Sequence, residues 1–178
     1  MRPARNVVVL DRDGTIVEDR HYLDNPAGLQ FLPGAAEGLR MLHERGCRLV
    51  VITNQSGIGR GLFSVTQLEQ IHDRLRLMTS AIGAPLEAIY YCPHVPADRC
   101  VCRKPATELL TQATISLGFA MSSVVVIGDK DSDIEFGRRV QAPTILIDGA
   151  SSANPRDASF VVPDLVSAAR IVTEQLNG

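Results

Sequence analysis

The chain has 178 residues, enough for one domain with a substantial core. It is 45% hydrophobic with 4% aromatic residues and no tryptophan, so its core is aliphatic and the stacking platforms that bind single-stranded nucleic acid are not expected. A net charge of -2 leaves no basic footprint for a polyanion, and no apolar run reaches membrane-spanning length, which argues against nucleic-acid and membrane partners.

The basic stretch 1–6 is followed by only four apolar residues, too few for the core of an export signal, so the cytoplasm is the expected compartment. In that reducing setting the four cysteines are expected as thiols or metal ligands rather than disulfides. Val7 to Leu10 then predicts a fully buried strand, as do Arg48 to Thr53 and Ser123 to Ile127, because continuous β-branched runs suit a parallel sheet covered on both faces. Pro33 and Gly46 bracket a helix over Gly34 to Arg45. Thr66-x-x-Glu69 reads as a capping box opening a helix to about Ala81. Further helices are expected over Ala106 to Leu117, Asp131 to Val140 and Leu165 to Leu176, with short strands over Ala88 to Tyr91, Thr144 to Ile147 and Phe160 to Val162. This alternation predicts an α/β fold: a doubly wound, mainly parallel, Rossmann-like sheet in a single domain over 1–178, with ligands bound beyond the carboxyl ends of the strands. His43 and His72 fall on predicted helices and read as surface residues, and Cys47 as a packed thiol.

Four polar clusters stand where strands or loops end: Asp11-Arg12-Asp13-Gly14-Thr15, Thr53-Asn54-Gln55-Ser56-Gly57, Arg103-Lys104 and Gly128-Asp129-Lys130-Asp131. Each alone has an ordinary reading as a turn, a helix start or part of a calcium loop. In order and together they suit phosphoryl transfer to an aspartate. A phosphate monoester repels an anionic nucleophile by about 5 kcal/mol at ~3.5 Å and an effective dielectric of ~20, so the site must bring positive charge. Asp11 is the expected nucleophile. Asp13, two residues on, is expected to protonate the leaving oxygen and then activate water. Asp129, Asp11 and the Asp13 carbonyl form an oxygen set for magnesium, while Thr53 and Lys104 are expected to hold the phosphoryl oxygens.

Cys92-Pro93-His94 and Cys100-Val101-Cys102 form a second constellation, C-x-H-x5-C-x-C. Residues two apart in extended chain point the same way, so each pair can grip one ion. Three thiolates and an imidazole saturate tetrahedral zinc, so Cys92, His94, Cys100 and Cys102 are expected to make a structural zinc loop over 92–102. That loop leads directly into Arg103 and Lys104.

These motifs resemble those of the haloacid-dehalogenase-like (HAD-like) phosphatases across essentially the whole chain. Within that superfamily, Asp11 to Ile16, Thr53 to Ile58 and the segment from Cys92 to Pro105 resemble the D-glycero-D-manno-heptose 1,7-bisphosphate 7-phosphatases, with the histidinol-phosphate phosphatases as close relatives. The resemblance implies a capless phosphatase, and the short interval between Asp11 and Thr53 also leaves no room for a cap. It further implies that Asp19, Arg20, His21 and Tyr22 contact a sugar, with Asn54, Gln55, Ser56, Arg103 and Lys130 completing the pocket. Val17 and His21 depart from the asparagine and glycine of one branch. Arg60 reads either as a partner for a second phosphate or as a solvated loop residue.

The expected partner is therefore a small sugar bisphosphate, acted on by a monomer that uses magnesium in catalysis and zinc in structure. Hydrolysis of histidinol phosphate is the alternative activity, which Lys130 mildly opposes. A phosphoacceptor signalling domain would share the strand-end aspartates and lysine, but Asp13 beside the nucleophile favours turnover over a long-lived acyl phosphate.

Overall fold

The computed structural model describes residues 6–147 and 157–176. The elements are β1 (Val7–Leu10), α1 (Ala35–Glu44), β2 (Arg48–Asn54), α2 (Val65–Ala81), β3 (Ala88–Cys92), α3 (Glu108–Leu117), β4 (Val124–Gly128), α4 (Asp131–Arg139), β5 (Thr144–Ile147), β6 (Phe160–Val162) and α5 (Leu165–Arg170). All six strands pair parallel in the order β3-β2-β1-β4-β5-β6. The described residues thus form a Rossmann-like α/β domain without a cap.

The pleat sorts each strand's side chains into two cores. Val8 and Leu10 of β1, with Leu49, Val51 and Ile127, pack under Leu39 and Leu42 of α1, Ile71 and Leu75 of α2, and Leu165 and Ala168 of α5. Val7 and Val9, with Val50, Ile52 and Val126, pack under Leu109 and Leu110 of α3 and Phe136 of α4. Burial on both faces is why these strands read as continuous apolar runs rather than alternating ones. The chain order reverses between β1 and β4, where Leu10 pairs with Ile127. The crevice beyond that switch point is where such sheets bind ligands, and Asp11 and Asp129 lie at its rim.

Three helix boundaries differ from expectation for local reasons. The capping box of α2 is Ser64 with Gln67, not Thr66 with Glu69: Ser64 Oγ accepts from Gln67 N at 3.2 Å, and Gln67 Oε1 accepts from Ser64 N at 2.9 Å. Pro33 stands outside α1, whose N-cap is Gly34 at φ 77°, a left-handed conformation suited to glycine. α3 starts at Glu108 because Ala106 N is taken by a turn to Arg103 O. The last helix keeps α geometry to Arg170 and continues as wider π turns to Leu176.

His72 overturns its surface assignment. It has no exposed area and lies on the α2 stripe of Leu68, Ile71, His72, Leu75 and Thr79, with its ring 5.6 Å from that of Tyr91. Its spacing from Leu68 and Leu75 is core spacing, a signal present in the sequence. His43 is exposed and Cys47 buried, as expected.

Candidate active site

Asp11 follows β1 directly, and its N–H is held by Ile127 O at 3.0 Å, which fixes it between β1 and β4. Gly14, at φ 83°, turns the chain away from the sheet, and a Cβ there would stand 2.2 Å from Asp129 Oδ2. Only glycine lets the β1 loop approach the Asp129 carboxylate this closely.

Lys104 is 5% exposed at the centre of the site. Its ammonium donates to Asp11 Oδ1 at 2.7 Å and to Ile52 O at 2.6 Å, and it is ion-paired with Asp133 Oδ1 at 2.7 Å. Burial opposes the ammonium charge, but Asp11 and Asp133 outweigh it and raise the pKa. Asn54 fixes the backbone of Lys104 from β2, accepting from Lys104 N at 2.9 Å and donating to Lys104 O at 3.2 Å.

Asp133 is the acidic residue that sequence reasoning missed. It sits at the third position of α4, where its Oδ2 caps Lys130 N at 3.1 Å while Oδ1 faces Lys104. Asp11, Asp129 and Asp133 offer carboxylate oxygens within 4.8 Å of one another. Burial, then the charges of Asp11 and Asp133, push the Asp129 carboxyl up to about 7 against the pull of Lys130. Asp129 Oδ1 is buried with no hydrogen-bond partner. An all-oxygen set with an unsatisfied carboxylate oxygen and too little local positive charge fits a hard divalent cation such as magnesium.

Thr53 and Asp13 stand beside this cluster. Thr53, 1% exposed, accepts from Gln55 Nε2 at 2.8 Å, which leaves its hydroxyl hydrogen free to be donated elsewhere. Asp13 accepts from Arg12 and Gln55 and keeps its side chain 15% exposed.

The residues expected around a sugar are more dispersed. Asp19 accepts from Lys130 Nζ at 3.1 Å and from His21 N at 2.9 Å, tying the β1 loop to the start of α4. Arg20 pairs with Glu18 at 2.9 Å, and His21 and Tyr22 are exposed. Asn54 and Gln55 have their side chains engaged inside the protein, on Lys104 and on Asp13, rather than directed outward. Ser56 is half-buried and its carbonyl accepts from the N–H of the exposed Arg60. Arg103 Nη1 reaches His94 O at 3.3 Å. A cavity of about 810 Å³ opens beside Asp19, Asp129 and Lys130 and runs toward Leu32, Pro163 and Leu165.

At the end of β3 the other constellation closes on itself. The sulfurs of Cys92, Cys100 and Cys102 lie 3.1 to 3.6 Å apart, and His94 Nδ1 is 3.2 Å from Cys102 and 3.6 Å from Cys92. These separations exceed a disulfide bond and approach the edges, about 3.7 Å, of a tetrahedron with Zn–S near 2.3 Å. Burial raises Cys92, whereas the Arg103 N–H and the neighbouring sulfurs outweigh burial at Cys100 and bring it to about 7. The four side chains could hold a zinc ion, and Arg103 and Lys104 follow at once.

An aspartate at a β1/β4 switch point, a buried lysine against it and a carboxylate cluster opposite together fit phosphoryl-transfer chemistry. The comparisons narrow it. The HAD-hydrolase-like family model matches residues 101–168, which contain Lys104, Asp129 and Asp133. A Thermoplasma volcanium protein named "Probable D-glycero-D-manno-heptose-1,7-bisphosphate 7-phosphatase" is 40% identical over 139 residues, 78% of this chain and 95% of the relative. The D-glycero-beta-D-manno-heptose-1,7-bisphosphate 7-phosphatase of Pseudomonas aeruginosa is 35% identical over 145 residues, 81% of this chain and 82% of its own. The crystal structure of D,D-heptose 1,7-bisphosphate phosphatase from B. bronchiseptica, complexed with magnesium and phosphate, superposes with a TM-score of 0.84 at 27% identity, covering 96% of this chain and 99% of that one. The chain belongs to the HAD-like hydrolases and, within them, to the family of the heptose-bisphosphate phosphatases. It is an enzyme of the phosphatase class.

Proposed function

We propose that the protein removes the C7 phosphate of D-glycero-D-manno-heptose 1,7-bisphosphate through an aspartyl-phosphate on Asp11. The observation that carries this reading is Asp11 itself, held at 2.7 Å by Lys104 with the Asp129 and Asp133 carboxylates alongside, in a chain whose relatives bear that activity in their names.

Asp11 attacks phosphorus in line with the leaving oxygen. Asp13 protonates that oxygen and then takes a proton from the water that releases phosphate. Thr53 donates its free hydroxyl hydrogen to a phosphoryl oxygen, and Lys104 offsets the charge that nucleophile and phosphoryl group bring together. Asp11, Asp129 and the Asp13 carbonyl would hold magnesium, with Asp133 close by; the ion, when bound, neutralises phosphoryl charge. Cys92, His94, Cys100 and Cys102 would hold zinc as a strut for the loop that presents Arg103 and Lys104. Asp19, His21 and Lys130 line the cavity beside Asp129 and would meet hydroxyls and a second phosphate there, with Arg20, Tyr22, Ser56, Arg60 and Arg103 as the further candidates, whereas Asn54 and Gln55 have their side chains engaged on Lys104 and Asp13. A monomer acting in the cytoplasm is part of the same proposal. Among the described residues no helix is long and apolar enough to cross a membrane.

The test is phosphate release in magnesium buffer from heptose 1,7-bisphosphate, as both anomers, and from histidinol phosphate. The expected kcat/KM ratio favours heptose bisphosphate by at least about tenfold, roughly 1.4 kcal/mol of transition-state binding, with the anomeric phosphate retained in the product. A preference for histidinol phosphate reassigns the substrate. Multiple turnover lost in Asp11→Asn supports the covalent mechanism, and activity near wild type in that variant overturns it.

A further inference from the structure

Arg12 lies between the two aspartates, and the reaction chemistry gives it no task. Its side chain is 1% exposed. Nε donates to both carboxylate oxygens of Asp13 at 3.1 Å, and Nη2 stands 2.9 Å from Asp13 Oδ2. Nη2 also donates to Gln55 Oε1 at 3.0 Å, while Gln55 Nε2 donates to Asp13 Oδ2 at 2.8 Å. Arg12, Gln55 and Asp13 thus close a ring of hydrogen bonds on Oδ2, and Oδ1 is left with the single contact from Nε. The second hydrogen of Gln55 Nε2 goes to Thr53 Oγ1 at 2.8 Å, which anchors the ring to β2.

As a device for stability this ring is poor. A buried guanidinium is costly to desolvate, Nη1 has no hydrogen-bond partner, and the same charge disfavours protonation of the buried His72. What the ring supplies is a fixed carboxylate with one oxygen available.

We propose that Arg12, acting with Gln55, is a positioning residue for Asp13: it pins Oδ2 and leaves Oδ1 to exchange the proton. The proposal rests on the reading of Asp13 as general acid and base. In the first half-reaction the bond from Asp11 to phosphorus forms, the bond from phosphorus to the leaving oxygen breaks, and the proton on Asp13 Oδ1 passes to that oxygen. In the second, water adds to phosphorus, its proton passes to Asp13 Oδ1, and Asp11 departs as carboxylate. An alkoxide leaving group needs the first proton, whereas a nitrophenolate leaves without it. Hydrolysis of the acyl phosphate needs the base with either substrate.

The leaving-group dependence gives the test. Hydrolysis of β-glycerophosphate and of p-nitrophenyl phosphate is compared in wild type, Asp13→Asn, Arg12→Lys and Gln55→Met. Asp13→Asn is the benchmark: alkyl turnover falls at least about 100-fold, and the aryl ester gives a burst of nitrophenolate near one per active site before slow turnover. Arg12→Lys keeps the buried charge and removes the fork. It is expected to lower the alkyl-to-aryl ratio of kcat at least about tenfold, with the same burst and KM within about threefold. Gln55→Met should repeat the pattern more weakly, and it decides the matter if Arg12→Lys does not fold. Equal losses on both esters without a burst, in variants with wild-type circular dichroism, overturn the proposal. Absence of the pattern in Asp13→Asn overturns it too, by removing the general acid. Neither ester is a heptose, so failure of the substrate assignment leaves this result standing.

Discussion

His72 shows how one buried side chain sets an acid limit. Burial first, then the charges of Arg12 and Arg76, push its pKa down to about 3, and neither ring nitrogen has a hydrogen-bond partner. The folded value lies below the unfolded value of about 6.5, so between those limits the unfolded chain binds a proton that the folded chain does not. This contribution is whole above about pH 6.5 and is lost as pH falls, by up to about 1.4 kcal/mol per pH unit. His72→Phe removes the proton site while keeping an aromatic ring against Tyr91. Urea unfolding at pH 7 and pH 5 is expected to show wild type losing about 2 kcal/mol more than the variant. Equal losses would mean that His72 is protonated in the folded state. At the same scale, Asp133 and the Arg12–Gln55 pair escaped sequence reading because folding alone brings Lys104 to Asp133 and joins Gln55 to Arg12, 43 positions away.

Helix α1 and helix α5 meet at Gly38. A Cβ there would stand 2.6 Å from the backbone carbon and oxygen of Leu165 and 3.0 Å from its Cγ. Backbone cannot retreat as a flexible side chain can, so Gly38→Ala must separate the helices. Overpacking of this kind costs about 1–3 kcal/mol, against a gain of up to about 1 from helix propensity. The expected result is a Tm lowered by several degrees, read by thermal unfolding; an unchanged or higher Tm would deny the close approach. The strands were legible because each is a local apolar run buried on both faces. Helix starts were less so: Ser64 and Thr66 are both competent caps, and Ser64 prevails because the chain from Gly57 to Ser64 already closes a turn, with Leu62 N bonded to Gly57 O.

Across the whole molecule, the proposed zinc loop links the β3 edge of the sheet to the candidate active site at β1 and β4. Metal binding to three cysteines and a histidine is coupled to ordering of the loop they span. Protein purified without chelator is expected to carry about one zinc per chain by elemental analysis. Cys100→Ser should lower the zinc content and reduce kcat about tenfold or more, since Lys104 lies four residues on, while far-ultraviolet circular dichroism stays near wild type because the sheet does not depend on the loop. Full activity in a zinc-free variant would detach the loop from catalysis.

The sequence alone determined the features that are local: buried strands, the glycine turn after Asp11, the paired Cys and His spacing, and the order of the four polar clusters. Each rests on backbone conformation or on residues a few positions apart, and so is written in the chain. Tertiary structure decided the rest. It alone brought Asp133 and Asp11 onto the two sides of the Lys104 ammonium, each at 2.7 Å, and turned Gln55 inward to Asp13. It also made His72 a core residue by laying α2 over the sheet. These outcomes depend on which strands lie side by side, and strand order is a property of the packed sheet rather than of any segment within it.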